Sequence, residues 1–328
     1  MSQPPPPFPL TGKRIWVTGH RGMVGSALVR RLQRESCQIL TVERTQLDLR
    51  RQQGVEDWLS ANRPDAVIDA AATVGGILAN ASRPSDFLYD NIAIATNVIH
   101  GAAKARVAKL LFLGAGCVYP QLAPQPMRED ALLTGPPEPT NEWYTLAKLA
   151  GIKLCQAYRR QHGCDFICVV PANLYGPGDR FDEISGHVVA GLIMRAHRAK
   201  VERKADLTIW GTGQALREFM YVDDCADALI TLMQGYSSDQ LINVGTGDEM
   251  SIAELARRIA RVVGFSGSLV FDSTKPDGMP RKLLDSSRMF ATGWRSGISL
   301  DEGLARTYQW YLAHESAAPV ANVSGRGR

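Results

Sequence analysis

From Lys13 onward, short apolar runs alternate with longer stretches whose apolar residues recur at helical spacing. The runs RIWVTG, QILTVE and DAVIDAAA predict strands, and residues 24–35 and 52–61 between them predict amphipathic helices. Two longer helical patterns cover residues 86–104 and 142–162, separated by the run KLLFLGAG. This alternation predicts an α/β fold, a Rossmann-type doubly wound parallel sheet with helices on both faces.

The alternation loosens after about residue 176. The run FICVVPANLYG predicts a strand, and the helical stretches HVVAGLIMRAHRA and SIAELARRIARVVG follow, with a WGTG turn between them. We expect residues 13–176 to form mainly the Rossmann domain and residues 177–314 mainly a smaller C-terminal lobe interleaved with the sheet. Residues 1–12, which include four consecutive prolines, and residues 315–328, which lack apolar periodicity, are expected to be disordered.

Composition and charge narrow the classes of partner. The 328 residues carry a net charge of +4, with 37 basic and 33 acidic residues interspersed, so no basic stripe indicates a nucleic-acid partner. No apolar run approaches the roughly 20 residues that span a bilayer, and no secretion signal is visible, so we expect a cytoplasmic protein without membrane contact. The six cysteines show no zinc-type pairing with histidines, so we expect reduced thiols and no metal site.

The first strand runs into GHRGMVG, which opens the first helix. Gly19, Gly22 and Gly25 have G-x-x-G-x-x-G spacing, with Arg21 and Met23 between them. Glycines at such a junction permit a tight turn and close approach to a pyrophosphate, while the helix N-terminus attracts the phosphate charge. The position at the first β-to-α junction favours dinucleotide binding over the alternative, a glycine-rich turn that only packs.

Charge at the end of the second strand bears on which dinucleotide binds. An acidic residue there holds the ribose 2′-hydroxyl of NAD, whereas an arginine accommodates the 2′-phosphate of NADP. Both types occur, as Glu43 and Arg44, and Arg21 lies in the glycine loop. Two arginines favour NADPH and Glu43 weakens that preference. The alternative for Arg44 is an ordinary solvated side chain.

Tyr144 and Lys148 lie four residues apart in the helical pattern at 142–162, so both project from one helix face. A lysine beside a tyrosine is expected to lower the pKa of the phenol and to make it a proton donor or acceptor near neutral pH. Such a pair occurs by chance on many helices. Together with the glycine spacing, Y-x-x-x-K resembles the extended short-chain dehydrogenase/reductase superfamily.

Eight blocks narrow the resemblance to the GDP-L-fucose synthase family. They are VTGHRGMVGSA, AAATVGGILAN, FLGAGCVYP, EPTNEWYTLAKLAGIKLC, NLYGPGDRF, LREFMYVDD, INVGTG and KPDGMPRKLLD. These blocks lie between Val17 and Asp285, and the resemblance covers about residue 14 to residue 312. The resemblance implies an NADP(H)-binding Rossmann domain and a smaller lobe that binds a GDP-sugar. It also implies NADPH-dependent conversion of GDP-4-keto-6-deoxy-D-mannose to GDP-L-fucose.

The resemblance also assigns roles to residues. Cys117 and His187 are implied to move protons at C3 and C5 of the 4-keto sugar, because a thiolate and an imidazole can both exchange protons near neutrality. Tyr144 is implied to protonate the C4 oxygen during reduction, beside Lys148. The implied cofactor-binding residues are Gly19, Arg21, Gly22, Met23, Gly25, Arg44, Asp48 and Lys148. The implied substrate-binding residues are Asn173, Arg195, Trp210, Arg217 and Lys282.

Two of the substrate assignments have structural alternatives. Trp210 is as well explained by ordinary packing as by stacking on a base. Arg217 lies in the apolar context LREFMYVDD, where an unpaired arginine is costly. Asp223 or Asp224 is its obvious intramolecular partner.

The chain departs from the family pattern at GAGCVYP. The family normally carries serines at the positions of Ala115 and Gly116, and the first is the superfamily's catalytic serine, which donates to the substrate carbonyl. Three accounts are open: an engineered variant, a natural homologue in which Tyr144 or a hydroxyl such as that of Thr73 compensates, or an enzyme for a related GDP-4-keto sugar. From another class, a catalytically impaired NADPH-binding regulator is the alternative.

Assembly is indicated by the two long helices. The segment IAIATNVIHGAA in the first is apolar on more than one face, which is more than a surface helix needs. Superfamily members of this kind commonly dimerise through these two helices. We therefore expect a homodimer.

Overall fold

Strands and helices alternate through most of the computed structural model, which describes residues 7–182, 186–275 and 277–315. The strands are β1 (Arg14–Thr18), β2 (Gln38–Leu40), β3 (Ala66–Asp69), β4 (Lys109–Leu113), β5 (Asp165–Pro171), β6 (Asn173–Tyr175), β7 (Asp206–Trp210), β8 (Leu216–Tyr221), β9 (Ile242–Val244), β10 (Glu249–Ser251), β11 (Ser268–Asp272) and β12 (Arg281–Lys282). The helices are α1 (Met23–Leu32), α2 (Gln52–Asn62), α3 (Ile77–Ser82), α4 (Pro84–Lys104), α5 (Glu142–His162), α6 (Val188–Val201), α7 (Val222–Gly235), α8 (Ile252–Val263), α9 (Ser287–Ala291) and α10 (Leu300–Glu315).

Six parallel strands form the central sheet, in the order β2-β1-β3-β4-β5-β9. Strands β3 and β4 are buried along their whole length, which explains their short, mostly apolar runs. Helices α1 and α7 cover one face through a core that includes Leu28 and Leu229. Helices α2, α4 and α5 cover the other through a core that includes Val55, Val98 and Ile152. The predicted doubly wound α/β fold is confirmed.

The run FICVVPANLYG, expected to be one strand, is divided between two sheets. Strand β5 stops at Pro171, which has no amide hydrogen with which to continue the ladder. The Ala172 amide donates to the Val244 carbonyl of β9, and β6 then pairs with β8 of the smaller lobe. The division places the chain at the junction of the two lobes.

Strand β8 is the centre of the second sheet, where it pairs with β6, β10 and β12, while β7 pairs with β11. Helices α6, α8 and α10 contribute to the core of this lobe, which includes Leu192, Ile259 and Leu304. Between β8 and β10 the chain returns to the central sheet as α7 and β9. The chain thus passes between the two lobes several times, and these crossings connect them.

Part of the N-terminal segment that we expected to be disordered is ordered. Leu10 is buried in the sheet domain, and the Phe8 amide donates to the Gln234 carbonyl at 2.8 Å. The apolar side chains of residues 8 and 10 explain why this part packs. Residues 1–6 lie outside the described residues, as do residues 316–328 of the expected tail, whereas Glu315 ends α10. In the described ranges, no helix is long and apolar enough to cross a membrane.

Candidate active site

One large cavity lies where the carboxyl ends of the central strands face the smaller lobe. Its volume is about 1570 Å³, which exceeds the roughly 300–1,000 Å³ of a site for one drug-sized ligand. The cavity therefore has room for two ligands side by side. Every residue that the sequence or the resemblance singled out for catalysis, cofactor or substrate lies on its wall. Their chemical roles stay predictions.

The glycine loop forms one end of the cavity, and its glycines lie very close to neighbouring backbone atoms. Gly19 has φ +64°, and a Cβ there would lie 2.8 Å from the Ala71 Cα. A Cβ at Gly25 would collide with the Gly19 carbonyl oxygen. Helix α1 begins directly after Gly22 with no side-chain cap, so its first amides face outward as donors for an anion. This cradle fits the pyrophosphate of a dinucleotide.

Charges at the end of β2 are arranged in pairs. The Glu43 carboxylate lies 2.8 Å from the Arg21 guanidinium and 3.3 Å from the His20 imidazole. Asp48 accepts three hydrogen bonds from the Arg50 side chain, at 2.8 to 3.2 Å, and these bonds lower the pKa of Asp48 to about 2. The charge of Glu43 is thus offset, and Arg44 adds a further cation. The positive charges of Arg21 and Arg44 outnumber the negative charge of Glu43 at this rim, which suits a 2′-phosphate.

Of the predicted catalytic pair on α5, Lys148 is buried and Tyr144 is partly buried. The Lys148 ammonium donates to the Leu113 carbonyl at 2.8 Å and lies 5.8 Å from the centre of the Tyr144 ring. We expected Lys148 to lower the pKa of the phenol. Burial instead raises the pKa of Tyr144 well above its usual value, and the nearby Cys117 raises it further. The phenol therefore keeps its proton at neutral pH and can act as an acid.

Cys117 lies in the one-turn 3₁₀ segment Gly116–Val118, just beyond β4, with a free and partly exposed thiol. The Thr145 hydroxyl of α5 donates to the Cys117 carbonyl at 3.1 Å. A Cβ at Gly114 would lie 3.0 Å from the Val169 carbonyl oxygen, so glycine lets the strand end close to β5. The same helix that carries Tyr144 therefore fixes the backbone of the cysteine.

His187 precedes the first residue of α6 and faces the cavity from the smaller lobe. Its Nδ1 lies 2.9 Å from the Asp179 Oδ1, which also accepts the Arg180 amide at 2.8 Å. The hydrogen bond to Asp179 raises the pKa of His187, against the lowering effects of burial, Arg180 and Lys282. This dyad favours an imidazolium that can return a proton.

The residues expected to bind substrate lie on β6, β7, β8 and β12 (Asn173, Trp210, Arg217 and Lys282) and on α6 (Arg195). Asn173 Nδ2 donates to the Glu218 carbonyl at 2.7 Å, which orients the amide at the junction of the lobes. Trp210 is 48% exposed, and the Arg195 guanidinium lies 5.6 Å from the centre of its ring. This exposure is more typical of a stacking surface than of ordinary packing.

Arg217 does not pair with either of the aspartates expected as its alternative partners. Asp223 bonds to Arg30, and Asp224 accepts the Ile298 amide at 3.0 Å. The Arg217 guanidinium donates instead to the Leu216 carbonyl at 2.8 Å and to the Asp277 carbonyl at 3.4 Å. Its charge therefore stays available to an anionic ligand.

Comparison with known proteins identifies the family. A model of the NAD dependent epimerase/dehydratase family matches residues 15–245. GDP-L-fucose synthase of Sinorhizobium fredii (strain NBRC 101917 / NGR234) is 55% identical over 309 residues, which cover 94% of this chain and 98% of the relative. The chain belongs to the GDP-L-fucose synthase family.

Two further comparisons agree with this assignment. GDP-L-fucose synthase of Escherichia coli (strain K12) is 48% identical, and the match covers 93% of this chain and 98% of the relative. The crystal structure of a GDP-L-fucose synthetase from Naegleria fowleri bound to NADP superposes with a TM-score of 0.89 at 29% identity. That match covers 97% of this chain and 99% of the other.

This member of the GDP-L-fucose synthase family has Ala115 just beyond β4, and two threonine hydroxyls on the cavity wall are bonded to carboxylates. Thr73, considered above as a substitute, donates to the Asp90 carboxylate at 3.1 Å. Thr140 donates to the Glu138 carboxylate at 2.5 Å. Because each proton is held by a carboxylate, neither hydroxyl can donate to a substrate carbonyl in this arrangement.

Two aspartates with clear contacts at the site were missed by sequence reasoning in this GDP-L-fucose synthase family member. Asp179 orients His187, and its second carboxylate oxygen is buried without a hydrogen-bond partner. Asp277 accepts hydrogen bonds from the amide and hydroxyl of Thr212, both at 2.8 Å, and so fixes the turn that follows Trp210. Both lie in blocks that carried the resemblance, but only the fold shows their partners.

Replacing Asp179 with asparagine tests the dyad. We expect Asp179→Asn to lower the pKa of His187, because the neutral amide no longer stabilises the imidazolium. The imidazolium of His187 then loses its proton at a lower pH in the variant than in the parent protein. Proton NMR titration of the histidine Cε1 protons, assigned with His187→Asn, measures this change. His197, which bonds to the Tyr308 hydroxyl, serves as the internal control. An unchanged His187 titration contradicts the role of Asp179.

Proposed function

We propose that this protein is an NADPH-dependent enzyme that converts GDP-4-keto-6-deoxy-D-mannose to GDP-L-fucose. The observation that carries the proposal is the meeting of three sets of residues in one cavity: the glycine loop, the pair Tyr144 and Lys148, and the pair Cys117 and His187. Relatives that match nearly the whole chain bear the name GDP-L-fucose synthase. The two activities need the same sugar held at the same place, which one large cavity permits.

NADP(H) is the cofactor that the first half of the cavity fits. Residues 13–176 mainly form its binding site, with contributions from Gly19, Arg21, Gly22, Met23, Gly25, Arg44, Asp48 and Lys148. The glycine loop approaches the pyrophosphate, and the basic rim beside Glu43 receives the 2′-phosphate. Bound NADPH supplies the hydride for reduction at C4.

Epimerisation follows from the chemistry of a 4-keto sugar, whose C3 and C5 hydrogens are acidified by the neighbouring carbonyl. Cys117, as thiolate, removes the proton from one carbon, and it acts on the other after its S–H proton has passed to solvent and His187 has taken up a new proton. His187, held as imidazolium by Asp179, returns a proton to the opposite face. The cysteine comes from the sheet domain and the histidine from the smaller lobe, so the two flank the space between the lobes.

Reduction requires a proton for the C4 oxygen. Tyr144 donates it, and the high pKa that burial gives the phenol keeps this acid loaded at neutral pH. The Lys148 ammonium is held by the Leu113 carbonyl and orients the neighbouring nicotinamide ribose. The same phenol stabilises the enolates formed during epimerisation.

The smaller lobe, mainly residues 177–314, binds the GDP moiety. Arg195, Arg217 and Lys282 supply positive charge for the diphosphate. Trp210 stacks on the base, in keeping with its exposed ring and adjacent guanidinium. We assign Asn173, oriented by its bond to the Glu218 carbonyl, to the pyrophosphate or the ring hydroxyls.

The proposed reaction predicts both NADPH consumption and inversion of the sugar. Incubation with GDP-4-keto-6-deoxy-D-mannose and NADPH is expected to yield GDP-L-fucose, identified by NMR and mass spectrometry. Tyr144→Phe, which keeps the ring and removes the acid, is the matched control and should lose most of the reduction. A reduced product without inversion at C3 and C5 would support a related GDP-4-keto-sugar reductase. Tight NADPH binding without any turnover would support a regulator.

Restoring the absent serine tests how the carbonyl is held. Loss of one donor of this kind typically costs about 10²–10³ in rate. We therefore expect Ala115→Ser to raise kcat for NADPH oxidation by up to about 10²-fold, while Ala115→Val, which adds bulk without a donor, should not. Equal kcat in the parent and the serine variant would show that the site works without this donor.

We propose that two copies associate through α4 and α5. These helices pack against each other, and Tyr89, Trp143 and Leu146 on them remain 65%, 38% and 40% exposed in the single chain. Apolar exposure of this extent on adjacent helices is typical of an interface. Light scattering at micromolar concentration should give twice the chain mass of 35.9 kDa. A monomeric mass would contradict the dimer. A cytoplasmic location stays a prediction.

A further inference from the structure

Lys282 reaches from β12 to the turn that holds Cys117. A Cβ built at Gly116 would lie 3.3 Å from the Lys282 Cε and 3.5 Å from its Nζ. The ammonium therefore occupies the space directly over the residue that precedes the cysteine. Glycine at position 116 leaves room for it, and a larger side chain would press on the lysine.

Among the residues that the structure describes, no hydrogen bond or ion pair holds the Lys282 ammonium. Its register partner on β8, Arg217, is by contrast bonded to two carbonyl groups. Burial lowers the pKa of Lys282, and the charges of Cys117 and Glu138 oppose that effect while Arg217 adds to it. Lys282 is only partly buried, and an ammonium without a hydrogen-bond partner is stabilised by negative charge that forms beside it.

The groups that face Cys117 come from several elements. From α5 come the Tyr144 phenol and the Lys148 ammonium, both of which interact with the charge of the cysteine. Lys148, however, already donates to the Leu113 carbonyl. From β12 comes Lys282, whose charge also acts on His187 of the smaller lobe. Lys282 is therefore the cation among these that lies near both proton-transfer groups without a bond of its own.

Glu138, in the loop before α5, carries a negative charge that acts on Lys282. Its carboxylate accepts hydrogen bonds from the Thr140 hydroxyl and from the Asn141 amide group, at 2.5 and 2.8 Å. These local donors hold the carboxylate at the start of α5, and it forms no ion pair with the lysine. The charge of Lys282 is thus directed to the space next to Cys117.

We propose that the Lys282 ammonium stabilises the thiolate of Cys117 and thereby promotes proton abstraction from the 4-keto sugar. This role rests on the proposed function and goes beyond the diphosphate contact that the resemblance implies. In the step, the C–H bond breaks and an S–H bond forms, while the electron pair moves to the carbonyl oxygen as an enolate. Lys282 acts through Cys117 and is a positioning residue in this sense.

Alkylation of Cys117 by iodoacetamide tests the proposal without any turnover, because only the thiolate reacts. The rate is followed from pH 5 to pH 10 by mass spectrometry of the peptide that contains Cys117. We expect Lys282→Met to move the half-maximal rate to higher pH, and Lys282→Arg to keep it close to that of the parent. An unchanged midpoint in Lys282→Met would overturn the proposal.

Arg217→Met is the matched control, because it removes a cation from the register partner of Lys282 on the neighbouring strand. It should raise KM for the GDP-sugar and leave the midpoint of Cys117 alkylation in place. If Lys282→Met likewise raises only KM, with kcat for substrate exchange and the alkylation midpoint unchanged, Lys282 is a diphosphate anchor and the proposal fails.

A second variant guards against misfolding of the lysine substitutions. Gly116→Ala keeps Lys282 but places a methyl group against its side chain, so the ammonium must shift. We expect the alkylation midpoint to rise in the same direction, by less than in Lys282→Met. An unchanged midpoint would contradict the close approach on which the proposal depends. Neither result requires that the protein reduce a sugar, so failure of the proposed function is recognised separately.

Discussion

The hydrogen bond from the Lys148 ammonium to the Leu113 carbonyl ties α5 to the end of β4. Lys148 is 4% exposed, so this bond is made where water cannot replace it and its loss is costly. The Thr145 hydroxyl adds a second tie, to the carbonyl of Cys117. The positions of the phenol and the thiol relative to each other depend on these two bonds.

The cations on the cavity wall differ in how many hydrogen-bond partners the protein gives them. Burial lowers the pKa of both Lys148 and Lys282. Lys148 and Arg217 both donate to backbone carbonyls, whereas no hydrogen bond or ion pair holds the Lys282 ammonium among the residues that the structure describes. A cavity lined by such cations favours anionic ligands. At His187 the charge is reversed, because the buried carboxylate of Asp179 raises the pKa of the imidazole.

Patterns in short stretches of sequence predict the parts of the fold that depend on neighbouring residues in the chain. The bounds of α5, residues 142–162, follow from apolar spacing, and the glycine loop follows from its place after β1. Contacts between distant residues were not predictable. The division of β5 from β6 depends on pairing with β9 and β8, and the partners of His187 and Arg217 depend on how loops fold back. The pKa of Tyr144 is raised by burial and by the nearby Cys117, which the position of Lys148 four residues away did not indicate.

The central claim is that a single site performs proton transfer at C3 and C5 as well as reduction at C4. Mass spectrometry and NMR of GDP-4-keto-6-deoxy-D-mannose incubated with the protein in D₂O, with NADPH left out, test it most directly. We predict deuterium at both C3 and C5, and loss of that exchange in Cys117→Ser. Absence of exchange in the parent protein, with NADPH-dependent reduction still intact, would contradict it.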